Sequence, residues 1–181
     1  MTRVIYKLFW TWDFEKEEKW LNDMAAKGLN LTDTGNLCRY TFEEGTPGEY
    51  QYRLELLDQL PEHPESRQYI AFMEETGAQQ ISSCLRWVYF RKKAEAEPFD
   101  LFSDMDSRIR HLQRITSLLL PVMIAEYLIG LSNLMNGFLL HSTVNLGISI
   151  PCIALGALIS VGFVRLSRRI RKMKQEREIH E

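Results

Sequence analysis

The chain has 181 residues, 45% hydrophobic and 25% charged, which suits one domain with an appendage, and its three cysteines, Cys38, Cys84 and Cys152, are too scattered for a disulfide framework or a paired-cysteine zinc site. Its net charge of −2 hides two unlike parts: residues 1–106 carry 12 Lys and Arg against 20 Asp and Glu, whereas residues 107–181 carry 10 against 4. So acidic a first part is excluded as a direct nucleic-acid binder, because affinity for a phosphate backbone comes mainly from neutralising it with Lys and Arg; a basic protein partner suits it better.

The N-terminus, MTRVIYKLFW, has no long apolar segment behind its basic start, so no cleavable signal peptide is expected. VIYKLFW, residues 4–10, is rich in β-branched and aromatic residues and predicts a strand. Asp13 can then cap a helix running to about Lys27, with Glu15, Glu17 and Glu18 near its positive end, Gly28 as terminator, and Trp20, Leu21 and Met24 as the apolar stripe. NLCRYTF, residues 36–42, and EYQYRLELL, residues 49–57, predict two strands joined by the EEGTPG turn, the second alternating Tyr50, Tyr52, Leu54 and Leu56 with polar residues. Pro64 opens a second helix with Tyr69, Ile70 and Met73 inward, and Gly77 closes it. ISSCLRWVYFRKK, residues 81–93, predicts the last strand.

That order, β-α-β-β-α-β over residues 1–93, is the split βαβ arrangement of ferredoxin-like α+β domains, in which both helices cover one face of a four-stranded sheet. Trp10, Tyr52, Trp87 and Tyr89 are then candidates for a binding surface on the open sheet face, or for the core; strand register decides between the two.

Residues 94–114 predict an acidic linker and juxtamembrane segment. Its Asp100, Asp104 and Asp106 lack the glycine turn and closing Glu of a calcium loop, so no metal is assigned to them. Two runs follow, 115–135 and 144–164, each matching the roughly 20 residues with which an α-helix crosses the hydrocarbon core. Only the first holds an ionisable residue, Glu126, which at the bilayer centre costs about 2.5 to 3.5 kcal/mol on insertion scales. A hairpin with the second run would carry it in. If residue 115 faces 164, Glu126 lies beside Cys152, Ala154 and Gly156, where two readings stay open: a protonated carboxyl that hydrogen-bonds the second helix or another copy of the chain, or a tolerated carboxylate. Gly156 and Ser160 form a small-xxx-small pair of the kind that lets membrane helices approach.

Basic residues flank both runs on their outer ends: Arg108, Arg110 and Arg114 before the first, and Arg165, Arg168, Arg169, Arg171, Lys172, Lys174 and Arg177 in the tail 165–181. The positive-inside rule then predicts a plasma-membrane protein with both termini cytoplasmic, its tail suited to anionic lipid headgroups.

Several stretches together, FWTW at 9–12, EEKWLNDMAAKG at 17–28, Tyr40 with Phe42, YQYR at 50–53, Tyr69, Gly77 and WVYFRKK at 87–93, make the first hundred residues resemble a bacterial membrane-protein family known as domain of unknown function 2812. Leu29 and Ala78 stand here where that family often has Trp after the two glycines. The resemblance implies no catalytic mechanism; it implies genes neighbouring transcription regulators of the PadR type, and so a regulatory setting.

No catalytic constellation emerges. His63, His111, His141 and His180 are scattered, there is no nucleophile elbow or phosphate-binding loop, and the adjacent pairs Glu17–Glu18 and Glu74–Glu75 point about 100° apart on their helices, where such residues are normally solvated. The expectation is therefore a non-enzymatic, membrane-tethered regulatory or sensory protein without cofactor, whose acidic domain takes a basic protein, a PadR-type regulator or a small ligand; the alternative is an accessory subunit acting through its membrane hairpin.

Overall fold

The computed structural model describes residues 1–35, 38–94, 99–102 and 104–180, except the side chains of Ile179 and His180. They form two compact units, Met1–Ser103 and Asp104–Glu181.

The first unit contains β1 (Thr2–Tyr6), α1 (Phe14–Ala25), β2 (Leu29–Gly35), β3 (Arg39–Glu44), β4 (Tyr50–Leu56), α2 (Pro64–Glu75), β5 (Gln79–Cys84) and β6 (Trp87–Lys93). It is α+β, as the sequence implies. The ferredoxin-like order is not confirmed, because six strands fall into two antiparallel three-stranded sheets, β1-β3-β2 and β4-β6-β5. Each sheet grows from one β-α-β-β unit with its third strand in the middle, so the first unit is the same motif built twice.

Two local features of the sequence conceal this. β2 is the polar stretch LNLTDTG directly after a helix terminator, and it reads as loop until Leu31 and Thr34 are found buried. The predicted strand 81–93 is really a hairpin whose turn, Leu85–Arg86, contains none of the usual turn residues, and Leu85 takes φ +55°, a left-handed conformation costly for a branched side chain. Asn36 and Leu37, the start of the predicted strand 36–42, lie outside the described residues.

The helices form where expected. Asp13 stands at the N-cap of α1, but its carboxylate pairs with Lys16 at 2.7 Å instead of capping the backbone. Gly28 closes the helix at φ +78°, where an added Cβ would lie 2.9 Å from the Gly45 carbonyl oxygen. Leu21 and Met24 are buried with Leu31, Phe42, Tyr52 and Leu54 in one core, while Ile70 and Met73 of α2 are buried with Val88, Phe90 and Phe99 in another. Tyr69 donates a hydrogen bond to Glu55, which explains why that carboxylate tolerates burial on β4.

The two sheets meet where β2 runs beside β5, with Ser82 Oγ 2.7 Å from Thr34 Oγ1 and accepting from the Thr34 amide at 3.0 Å. The free edge of β4 is closed by α1 rather than by a strand. Asn22 Nδ2 donates to the Tyr52 carbonyl (3.1 Å), Asn22 Oδ1 accepts from the Tyr52 amide (2.9 Å), and Glu18 Oε1 accepts from the Leu54 amide (2.8 Å). Two helix side chains thereby satisfy backbone groups that would otherwise present an open sheet edge.

The second unit is a helical hairpin, α3 (Met105–Leu139) and α4 (Thr143–His180), both long and apolar enough to cross a membrane. α3 begins inside the predicted linker, where Asp104 Oδ1 caps it by accepting from the Ser107 amide at 2.6 Å. Residues 95–98 and 103 of that linker lie outside the described residues. The helices approach through glycines: a Cβ on Gly130 or Gly137 would come within 2.7 Å of Ile153 or Leu146. Tyr127 packs on Gly156, where the pairing of 115 with 164 would have placed Cys152, so the helices are shifted by one turn from the expected register.

Candidate functional site

α1 turns three residues of its inner face toward the sheets at helical spacing, Glu17, Leu21 and Met24. Two of them are core. The third is a carboxylate only 8% exposed, on which two tyrosines from different sheets converge: Tyr40 Oη of β3 and Tyr89 Oη of β6 each donate to Glu17 Oε1 at 2.7 Å. Among the described residues Oε2 accepts no hydrogen bond.

Glu17 lines a cavity of about 340 Å³ in the first unit. Phe9, Trp10, Phe14 and Trp87 form its walls beside the two tyrosines, and Gly35, Cys38 and Arg39 of one hairpin, with Cys84 and Leu85 of the other, border it. The rings are locked by one another: Phe14 and Trp87 lie with centroids 5.8 Å apart, Trp10 stacks on Trp12 at 5.2 Å, and Phe9 meets Tyr40 edge-on. A cavity of this size with apolar walls and a few convergent polar atoms has the form of a small-molecule site.

Its electrostatics follow from burial. Desolvation raises the Glu17 carboxyl above the usual carboxylate range, against the opposing pull of the two tyrosine hydrogen bonds. Burial, then the neighbouring Glu17, keep Tyr40 and Tyr89 protonated and therefore donors. The Cys84 thiol is pushed up by burial as well. Arg39, the one basic residue on the described lining, is held by Asp33 at 3.2 Å. Glu18, one position on, points to the β4 edge, and burial lifts it to about 7. The expectation of a solvated pair is thus corrected for Glu17 and Glu18: they do diverge around the helix, but both divergent directions lead into protein.

The sequence-derived candidates divide sharply. Trp10, Trp87 and Tyr89 come together on the cavity, whereas Tyr52 is fully buried and accepts from the Leu31 amide at 2.9 Å, which makes it core. Glu17, Tyr40, Phe9 and Phe14 escape the sequence reading. The available signal was a carboxylate on the apolar stripe of an amphipathic helix.

In the second unit Glu126 faces the Cys152 thiol, and Tyr127 of α3 packs on Gly156 of α4 with its Oη 3.1 Å from Ser160 Oγ. Arg165, Arg168, Arg169, Arg171, Lys172 and Lys174 are exposed along a helical tail, and Arg177 pairs with Asp106 at 2.7 Å. Asp104 is thus a helix cap and Asp106 an ion-pair partner. Of the histidines, His63 caps α2 by accepting from the Glu65 amide, His111 is buried in α3, and the side chain of His180 lies outside the described residues.

No curated protein and no solved structure matches this chain. The profile of the family described as Protein of unknown function (DUF2812) matches residues 13–124, which include α1, the aromatic positions from Phe14 to Tyr89, and the start of the first apolar helix. On that match over more than half its length, the chain belongs to the DUF2812 family.

Proposed function

We propose that this protein is a membrane-anchored, non-enzymatic sensor whose α+β head holds a small ligand in the Glu17 cavity and passes its occupancy to a regulatory partner. The observation that carries this reading is the cavity itself. A buried, incompletely hydrogen-bonded carboxylate among aromatic rings is costly to maintain for packing alone, since an apolar residue of similar volume would fill the space without desolvating a charge. The two apolar helices support an anchor in the plasma membrane, and the basic residues flanking them support cytoplasmic termini. The acidic charge of residues 1–106 favours a basic partner, with a PadR-type regulator the candidate suggested by family setting.

All four tryptophans, Trp10, Trp12, Trp20 and Trp87, lie in the first unit, so their fluorescence in the full-length chain, reconstituted in lipid nanodiscs, reports on the head. A panel of amphipathic small molecules should include compounds that quench it saturably and lose this effect on Trp87→Leu. Absence of any saturable quench across the panel would end this reading.

A second reading rests on Glu126 opposite Cys152: an accessory membrane subunit that uses this intramembrane carboxyl to join a partner or a second copy of the chain. Glu126→Gln would then abolish crosslinked oligomers in membranes, and unchanged crosslinking would reject it.

A further inference from the structure

The polar floor of the cavity has a definite sense. Both tyrosine hydroxyls spend their protons on Glu17 Oε1, which leaves Oε2 as an acceptor and no tyrosine donor for an incoming anion. The Arg39 guanidinium, which would otherwise attract one, is engaged by Asp33. Around this carboxylate the surfaces are aromatic, and ring faces attract organic cations through their quadrupoles. The protein shows that attraction on the same cluster: Lys7 Nζ sits 5.0 Å from the centroid of Phe9, a cavity residue, and 4.7 Å from that of Trp20. A divalent metal ion does not suit the site, because hard cations require several oxygen ligands and Glu17 is the only carboxylate on the described lining.

We infer that the cavity takes a lipophilic organic monocation, an amine or quaternary ammonium with an aromatic or alkyl body, with Glu17 as counter-charge and the rings of Trp10, Phe14 and Trp87 around its body. This rests on the ligand-binding reading above and narrows it. A cation in the cavity compensates the desolvated carboxylate, and the single carboxylate limits the match to one positive charge. Its affinity comes from the apolar body, and its selectivity from Glu17.

The test uses the full-length chain in nanodiscs of zwitterionic phosphatidylcholine, read by tryptophan fluorescence, with three probes of one shape class: benzyltrimethylammonium, its neutral carbon isostere neopentylbenzene, and benzoate. The expected result is saturable binding of the cation, about tenfold or more tighter than of the neutral isostere. Glu17→Gln keeps an oxygen acceptor for both tyrosines and should erase that preference while leaving binding of the isostere intact. Should that variant misfold, Glu17→Asp retains the charge and should retain the preference, and Trp87→Leu should weaken the cation more than the isostere. Equal binding of cation and isostere, preference for benzoate, or an undiminished preference in Glu17→Gln overturns the charge assignment but leaves a ligand cavity standing. Binding of none of the three overturns both.

Discussion

The two β-α-β-β units of the head are the comparison the molecule makes for itself. At a constant spacing of 49 residues, Leu21 answers Ile70, Met24 answers Met73, Gly28 answers Gly77 and Tyr40 answers Tyr89. Burial, helix termination and strand position agree in each pair: the helix residues lie in the cores, both glycines have positive φ, and both tyrosines occupy the middle strand of their sheet. Residues that match are those the motif needs in order to fold. Where the halves part, the first carries chemistry: Glu17 stands against Ser66, Glu18 against Arg67, and Asn22 against Ala71. α2 is an amphipathic helix that caps its sheet, whereas α1 brings three polar side chains into the interior, two for the edge of β4 and one for the cavity.

The largest effect should come from the shared framework. Leu21→Ala, at a fully buried site, is expected to cost about 3–5 kcal/mol, and Ile70→Ala, which retains 8% exposure, about 2–3 kcal/mol, both read from urea unfolding followed by tryptophan fluorescence. Equal costs would mean that the small difference in burial between the two sites does not set their contribution. The next contrast is polar. Asn22→Ala leaves the Tyr52 amide at the β4 edge without a partner, while the Tyr52 carbonyl keeps the Arg53 guanidinium at 2.9 Å, and should cost about 1–3 kcal/mol, whereas Ala71→Ser on the exposed face of α2 should stay within about 0.5 kcal/mol.

Acidity separates the halves in a third way. Burial holds the Glu18 carboxyl at about 7, above its ordinary 4.5, and shifts Glu17 in the same direction. Between those two values the folded chain binds a proton that the unfolded chain has released. The Glu18 contribution is therefore fully present below pH 4.5 and is lost as pH rises through 7. Stability should decline by about 1–3 kcal/mol over that window, and Glu18→Gln, which can still accept from the Leu54 amide, should remove much of the slope. A variant slope identical to that of the parent would place the titrating group elsewhere. Smallest of all, Leu85→Gly relieves the left-handed turn between β5 and β6 and should stabilise by about 0.5–1 kcal/mol in a thermal melt; a loss of stability would mean that the Leu85 side chain contributes more than its backbone costs.

Some of this architecture was legible along the chain because it depends on short-range order. Amphipathic spacing announced α1 and α2, Pro64 and Gly77 marked the limits of α2, and two long apolar runs announced the hairpin. Hidden were β2, whose buried Thr34 is satisfied by Ser82 nearly fifty residues away, and the β5–β6 turn, which carries no turn-forming residue. The candidate site was half visible, since Trp10, Trp87 and Tyr89 stood among the aromatic residues that an open sheet face could present. Glu17 did not, because a glutamate in the first turns of a helix is ordinarily a solvated favourite of the helix dipole.

From the sequence alone came the acidic head, the basic tail, the helical segments and two stretches greasy enough for a bilayer, all properties of residues within a few turns of one another. Only the tertiary structure decided that the head is a doubled motif, that Asn22 and Glu18 close a sheet edge, and that Glu17 meets hydroxyls from Tyr40 and Tyr89. The reason is physical: composition and periodicity follow from neighbours along the chain, whereas the burial of a charge is decided by strands that arrive from far away, and their register cannot be known until the sheets have formed.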